Sequence, residues 1–418
     1  MALRWTSTLA WSCLVTTWLI RDSVLAQPPQ PARPVKVILH VHSTFSSGSL
    51  EVPQIVSLVT QTDADAVILT DSALRRWEYG VWPLRGLVKR VVEQPSVLSI
   101  GPERYLQEIQ RLNDPGSPVS VLAGLEAAPF YYWQRSPFHR LGGELRGWNR
   151  HLLVFGLHDP KLIRALPVNR MDPYHGDQGA RPYQQLIDFV VRQGGLVFWA
   201  HPEMGYQEQF GQVSAYTKAY PHLLEMTSGY HGFGISYLDK LSFVAPGGLW
   251  DRLLLEYCEA RRAHPVWIIG ELDWHDPSRA IDSVITSILA EDHSPRALLE
   301  ALRYGRMWVF LGTGRPKRTT LVEVTVTDPA SQRVQTMGAW LDASGPLRIR
   351  VSGTRAADMA EPTRVTLIRD GEAVDTQEVT ESPFELEWTD EAPGQPGFYR
   401  AVIADPSGVI YTNPVFVQ

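Results

Sequence analysis

A chain of 418 residues with 44% hydrophobic content buries a core and has room for about two or three domains. Its formal charge is −6, and its 39 lysines and arginines are scattered rather than clustered, which excludes the basic footprint of a nucleic-acid binder. The two cysteines, Cys13 and Cys258, exclude a disulfide framework, and Cys258, with no adjacent histidine, reads as core packing.

The first predicted element is a secretory signal over residues 1–26. Arg4 precedes an uncharged apolar run from Leu9 to Ile20, and VLA before Gln27 supplies a small-residue cleavage site after Ala26. The run is short for a spanning helix, so a secreted or periplasmic mature chain without a stable membrane span is expected. Residues 27–34, QPPQPARP, read as a proline-rich linker.

Seven short apolar runs then recur: VKVIL (35–39), DAVILT (65–70), VSVLAG (119–124), HLLVFGL (151–157), GLVFWA (195–200), LLEMT (223–227) and VWIIG (266–270). Continuous apolarity indicates strands covered on both faces, as in a parallel sheet. Helical patterns lie between them, among them VPQIVSLVTQT, GPERYLQEIQRLN, RPYQQLIDFVVRQGG and GLWDRLLLEYCEARRAH. Strand-helix alternation predicts a closed or nearly closed α/β barrel over 35–315, with an open doubly wound sheet as the alternative. From Thr320 the pattern changes to short alternating segments with turn signals, including Asp370-Gly371, which predicts an all-β sandwich over 320–418. That region contains no histidine, so the chemistry belongs to the first.

Metal-ligand residue types sit at the ends of the apolar runs. Run one ends in His40 and His42, run two in Asp71, run three in Glu126 and run five in His201; the last is followed by Asp273 and His275. His151 instead opens run four. Strand alternation points His40 and His42 the same way, and in an α/β barrel the strand ends share one rim. A single strand-end histidine or carboxylate is more often a satisfied polar residue or a cap. So many together are costly to bury unless they are paired or bound to metal.

The succession HVH, LTD, GLE, RHLLVFGL, WAHPE and GELDWH resembles the polymerase-and-histidinol-phosphatase (PHP) superfamily of metal-dependent hydrolases over roughly residues 35–312. With the signal and the β-rich end, the chain is similar to a secreted branch that includes carbaryl hydrolase-like proteins. The resemblance implies a distorted (β/α)7 barrel followed by an immunoglobulin-like sandwich. It implies one divalent ion held by His40, His42, Glu126 and Asp273 and a second held by Glu126, His151 and His201, with Asp71 orienting a ligand histidine through its other ring nitrogen. Zinc, manganese and iron all suit these donors. The chain departs from the family where SSG places Ser47 at an aspartate or histidine position, and where TDS places Ser72 at a histidine position. Serine hydroxyls are poor ligands, so two ions rather than three are expected.

The implied activity is hydrolysis of a small-molecule ester, foremost a phosphate ester, by a hydroxide bridging the two metals. Glu126 and His275 are the expected catalytic residues, His275 either protonating the leaving group or ligating an ion. The aromatic segment APFYYWQRSPFHR, with Trp77, Trp199 and Trp274, opens a second reading, an apolar pocket for a carboxyl ester, carbamate or amide; core packing explains the same residues. A third reading is a secreted metal-containing binding protein without catalysis.

Overall fold

The computed structural model describes residues 34–113, 116–168, 176–236, 240–313, 318–356 and 359–418, which share one compact unit. The expected signal and linker residues 27–33 lie outside them. Nine strands frame the main curved sheet: β1 (Pro34–Val41), β2 (Ala66–Leu69), β3 (Ser120–Ala127), β4 (Leu152–Phe155), β5 (Leu196–Trp199), β6 (Gly232–Ile235), β7 (Trp267–Gly270), β8 (Val284–Leu289) and β9 (Met307–Gly312). Their spatial order is β7-β6-β5-β4-β3-β2-β1-β8-β9. Residues such as Ile38, Val67, Ile68, Val197, Phe198 and Ile268 are fully buried. Each such side chain contributes about 1.5–3 kcal/mol on leaving water.

Two sequence expectations change. The sheet is not uniformly parallel: β4 runs antiparallel to both β3 and β5, and β8 runs antiparallel to β1. Apolarity reports burial on both faces but carries no strand direction. Run six is not a strand; Pro221–Met226 is a helix with proline in its first turn, and the sixth strand is GFGI at 232–235. Glycine hides that strand from a hydrophobicity count, and its glycines are there for space. A Cβ on Gly234 would lie 2.4 Å from the Glu271 carboxylate, and one on Gly232 2.1 Å from the Trp267 carbonyl oxygen.

The ladder does not close between β7 and β1 by strand pairing; side chains and the segment after β7 supply the contacts. Gly270 N–H donates to Thr286 Oγ1 at 2.9 Å, and Ile268 N–H to Asn413 Oδ1 at 2.9 Å. Beyond β7, Leu272 and Trp274 donate to the carbonyls of Leu39 and His40, both at 3.0 Å, and His42 N–H returns to Trp274 at 2.9 Å. The chain after one edge of the sheet thus meets β1, and the sheet curls around the site.

The β-rich C-terminal part continues this sheet. β9 pairs antiparallel with Gly408–Thr412, followed in space by Gly397–Asp405, Thr363–Arg369 and Glu372–Val379. Asp370 (φ 53°) and Gly371 (φ 89°) form the expected tight hairpin. A second antiparallel sheet joins Arg333–Thr336, Thr320–Asp328, Leu347–Thr354 and Phe384–Asp390, and its inward residues share one core with the main sheet. No helix of the described residues is long and apolar enough to cross a membrane.

Candidate metal centre

The reversed direction of β4 brings His151 to the site. Ala127 pairs with Leu152, so the residue just before β4 stands at the rim where β1, β2, β3, β5 and β7 end. The sequence places His151 at the start of its run rather than at the end, and it is the direction of the strand that brings it to the rim. His40, His42, Glu126 and Asp273 offer ligand atoms within 4.8 Å of one another, as do Glu126, His151 and His201. Glu126 Oε1 lies 3.3 Å from His40 Nε2, 3.6 Å from His201 Nε2 and 2.5 Å from His151 Nδ1, and Oε2 lies 3.7 Å from His42 Nε2. Asp273 Oδ1 stands 3.4 Å from His40 Nε2 and 3.5 Å from His42 Nε2.

Three of these residues have left-handed backbone: His40 (φ 67°), His201 (φ 33°) and Asp273 (φ 47°). Such conformations are uncommon outside glycine and concentrate at functional sites. At His40 the conformation coincides with a register shift between Leu39 and Val41 in the β1–β2 ladder, so a bulge rather than plain alternation aims this ring.

The ring nitrogens away from the centre are held. His40 Nδ1 lies 3.1 Å from Glu271 Oε2, and the other oxygen of Glu271 accepts the backbone N–H of His201. Sequence reasoning passed over Glu271, a fully buried carboxylate two residues before Asp273 in GELDWH; its signal was that i, i+2 spacing beside a ligand. Asp71 does not touch a ligand ring directly. It accepts from Ser43 N–H (2.8 Å), Ser43 Oγ (2.7 Å) and Ser46 Oγ (2.6 Å), and Ser46 Oγ stands 3.2 Å from His42 Nδ1. Since Ser46 gives its proton to Asp71, it accepts from His42 Nδ1–H, which leaves the His42 Nε2 lone pair facing inward. Ser72 Oγ donates to Glu126 Oε2 at 3.2 Å, steadying the shared carboxylate.

His275 stands outside both ligand groups among the described residues. Its ring stacks on His42 at 4.3 Å, and Nε2 is 3.1 Å from Asp273 Oδ1, with 39% of the side chain exposed. Tyr206, absent from the sequence reading, donates from Oη to Asp273 Oδ2 at 3.3 Å and packs 4.7 Å from the His201 ring. The tryptophans do not wall a cleft. Trp199 and Trp274 are in the main core, while Trp77, Tyr131, Trp133 and Trp148 form a smaller core with Leu145, Val213 and Ala215.

The electrostatics describe a site that demands positive charge. Burial works against the charged ring of His40, yet Asp273, Glu126 and Glu271 outweigh it and hold its pKa well above the usual value. Burial also opposes charge on His201, and Glu126, Glu271 and Asp273 again raise it. At His42 burial prevails and the pKa falls. Glu126, despite burial, lies well below the carboxylate range because of His151, His201 and His40; Asp273 does so through His40, His275 and His42. His40 Nε2, His42 Nε2 and His151 Nδ1 are buried without a hydrogen-bond partner. Orphaned imidazole nitrogens around ionised carboxylates fit divalent cations of the borderline class.

Two expected results follow. Glu271→Gln turns an amide N–H₂ toward one of the donors the carboxylate now serves, so metal affinity falls about 10–100-fold, measured by competition with a chromophoric chelator. Unchanged affinity in a normally folded variant would exclude an orienting role. The second concerns pH. His40 and His201 hold protons up to their raised pKa values and must lose them to ligate, so metal binding strengthens as pH rises through those values and weakens below them. Calorimetry should show about a tenfold loss of affinity per pH unit for each proton displaced; pH-independent binding would contradict this assignment.

No family model matches the chain, and no curated protein matches it. Among solved structures it is similar to a two-domain protein from Bacteroides vulgatus containing a predicted PHP-like metal-dependent phosphoesterase, at 14% identity and TM-score 0.39, over 93% of this chain and 99% of that one. A second, from Bifidobacterium adolescentis and provisionally assigned as a metal-dependent phosphoesterase, aligns at 13% identity and TM-score 0.30 over 58% of this chain and 88% of that one. Likeness at this level carries nothing about chemistry, which rests on the residues themselves.

Proposed function

We propose that this chain is a divalent-metal-dependent hydrolase of phosphate esters with a two-ion centre. The observation that carries this reading is Glu126, one carboxylate common to two ligand groups and faced by buried imidazole nitrogens that have no other partner. His40, His42, Glu126 and Asp273 would hold one ion and Glu126, His151 and His201 the other, with zinc, manganese and iron as the suitable elements. Ions so placed lower the pKa of water and offset the negative charge that develops on a phosphoryl group.

The chain's own residues supply the rest. Glu271 and the Ser46–Asp71 pair fix the orientation of His40 and His42, and Ser72 holds Glu126. His275, partly exposed beside Asp273, is placed to give a proton to a leaving oxygen. Burial of Trp77, Trp199 and Trp274 weighs against the carbon-ester reading, which drew part of its support from them. The order of the motifs also supports a PHP-type barrel carrying an immunoglobulin-like sandwich, in a secreted carbaryl hydrolase-like branch; residues 1–26 support export.

Metal analysis and turnover test this reading together. Gently purified protein should carry about two ions per chain, and it should hydrolyse an aryl phosphate faster than an aryl acetate. His275→Ala should keep the metal and lose turnover. Fewer than about one ion per chain with no uptake on reconstitution, or activity confined to the acetate, would overturn the proposal.

A further inference from the structure

Two loops near the metal-bearing rim carry most of the exposed large apolar surface among the described residues. The hairpin Arg75–Gly80 with Lys89–Gln94 follows Asp71 and Ser72, and the strands Tyr132–Arg135 and Gly143–Arg146 follow Glu126, so both extensions leave the end of the sheet that holds the site. The hairpin tip exposes Trp82 (74%), Leu84, Leu87 (84%) and Val88; the second tip exposes Phe138 (62%) and Leu141 (69%). Tyr79 brings the loops together, its ring 5.3 Å from Trp133 and 5.8 Å from Phe138. Eight of the fifteen exposed large hydrophobics of the described residues lie at 81–91 and 138–141, so this is a patch and not the usual scatter.

Charge selects the occupant. The segments GVWPLRGLVKR (80–90) and RSPFHRLGG (135–143) contain five arginines and lysines and no aspartate or glutamate, although the whole chain is net acidic. Lys89 and Arg135 pair with Glu78 and Glu144 at the base of the loops, so the cations that bear on the occupant are Arg90 and Arg140. Arg90 and Arg140 are exposed beside the apolar tips. A protruding tryptophan, phenylalanine and leucines ringed by cations match the boundary of an anionic bilayer, where apolar side chains enter between headgroups and cations meet phosphates.

We propose that these two loops dock the protein on an anionic phospholipid surface. Docking is peripheral, and shallow insertion of loop side chains is sufficient.

Sedimentation of the full chain with unilamellar vesicles tests this, using phosphatidylcholine alone and equal parts phosphatidylcholine and phosphatidylglycerol. The wild type should sediment with the anionic vesicles, and added salt should release it. Trp82→Ser combined with Leu87→Ser should lower vesicle affinity at least about tenfold. Arg90→Gln and Arg140→Gln should each lower it about fivefold at low salt. Every variant keeps residues 1–33, so any contribution of the Leu9–Ile20 run cancels. Melting temperature and metal content should be unchanged, because all four positions are exposed and outside the site. Equal sedimentation of wild type and variants would overturn the proposal. So would a lipid-free dimer that the Trp82 and Leu87 changes dissolve and that does not sediment with vesicles, since a second copy would then cover the patch.

Discussion

Glu126→Gln is expected to empty both metal positions at once. The substitution preserves shape and the contact with Ser72, but the amide presents one oxygen and one N–H₂ to four imidazoles that now share two anionic oxygens. Metal content should fall below about one ion per chain and aryl phosphate turnover by about a thousandfold or more. The same change removes a carboxylate that raises His40 and His201. Burial then weighs more heavily, and both rings should lose their protons at lower pH, which histidine NMR of the metal-free protein reads directly. Retention of two ions by a folded Glu126→Gln variant would show that this carboxylate does not bridge.

The second large effect is on stability. Arg400, in the strand Gly397–Asp405, is fully buried against Asp251 in the first turn of the helix Leu249–Cys258. Its Nε and Nη2 each donate to a separate oxygen of Asp251 at 2.7 Å, Nη2 also reaches the Val244 carbonyl at 3.1 Å, and the guanidinium lies 4.9 Å from the Trp250 ring. Arg400→Met leaves the Asp251 charge buried without its guanidinium, with the Gly247 N–H at 2.9 Å as a remaining donor. A loss of about 3–5 kcal/mol is expected, seen as a lower melting temperature. Adding Asp251→Leu should recover much of that loss, because a matched apolar pair avoids the desolvation of both charges. A double variant no better than the single would refute this account.

Much of the fold was legible because it is written in local patterns. Apolar runs end where the ligand-type residues stand, the four helical patterns quoted from the sequence occur as helices, and Asp370-Gly371 turns as its φ angles require. The run at 223–227 misled because LLEM packs one face of a helix as readily as it fills a buried strand. The strand at 232–235 was silent because close approach of Trp267 and Glu271 admits only glycine at two of its four positions.

For the site, sequence by itself determined the donor chemistry: the residue types, their place beside apolar runs, and the HxH spacing. Tertiary structure alone decided three things. The reversal of β4 brings His151 beside Glu126, the bulge at His40 aims its ring, and Glu271 and Ser46 hold the outer nitrogens of His40 and His42. Each depends on partners far apart in the chain, as with His40 and Glu271, which are 231 residues apart and meet at 3.1 Å. Local periodicity records whether a residue is buried; which buried group it meets is set only when the sheet curls and its strand directions are chosen.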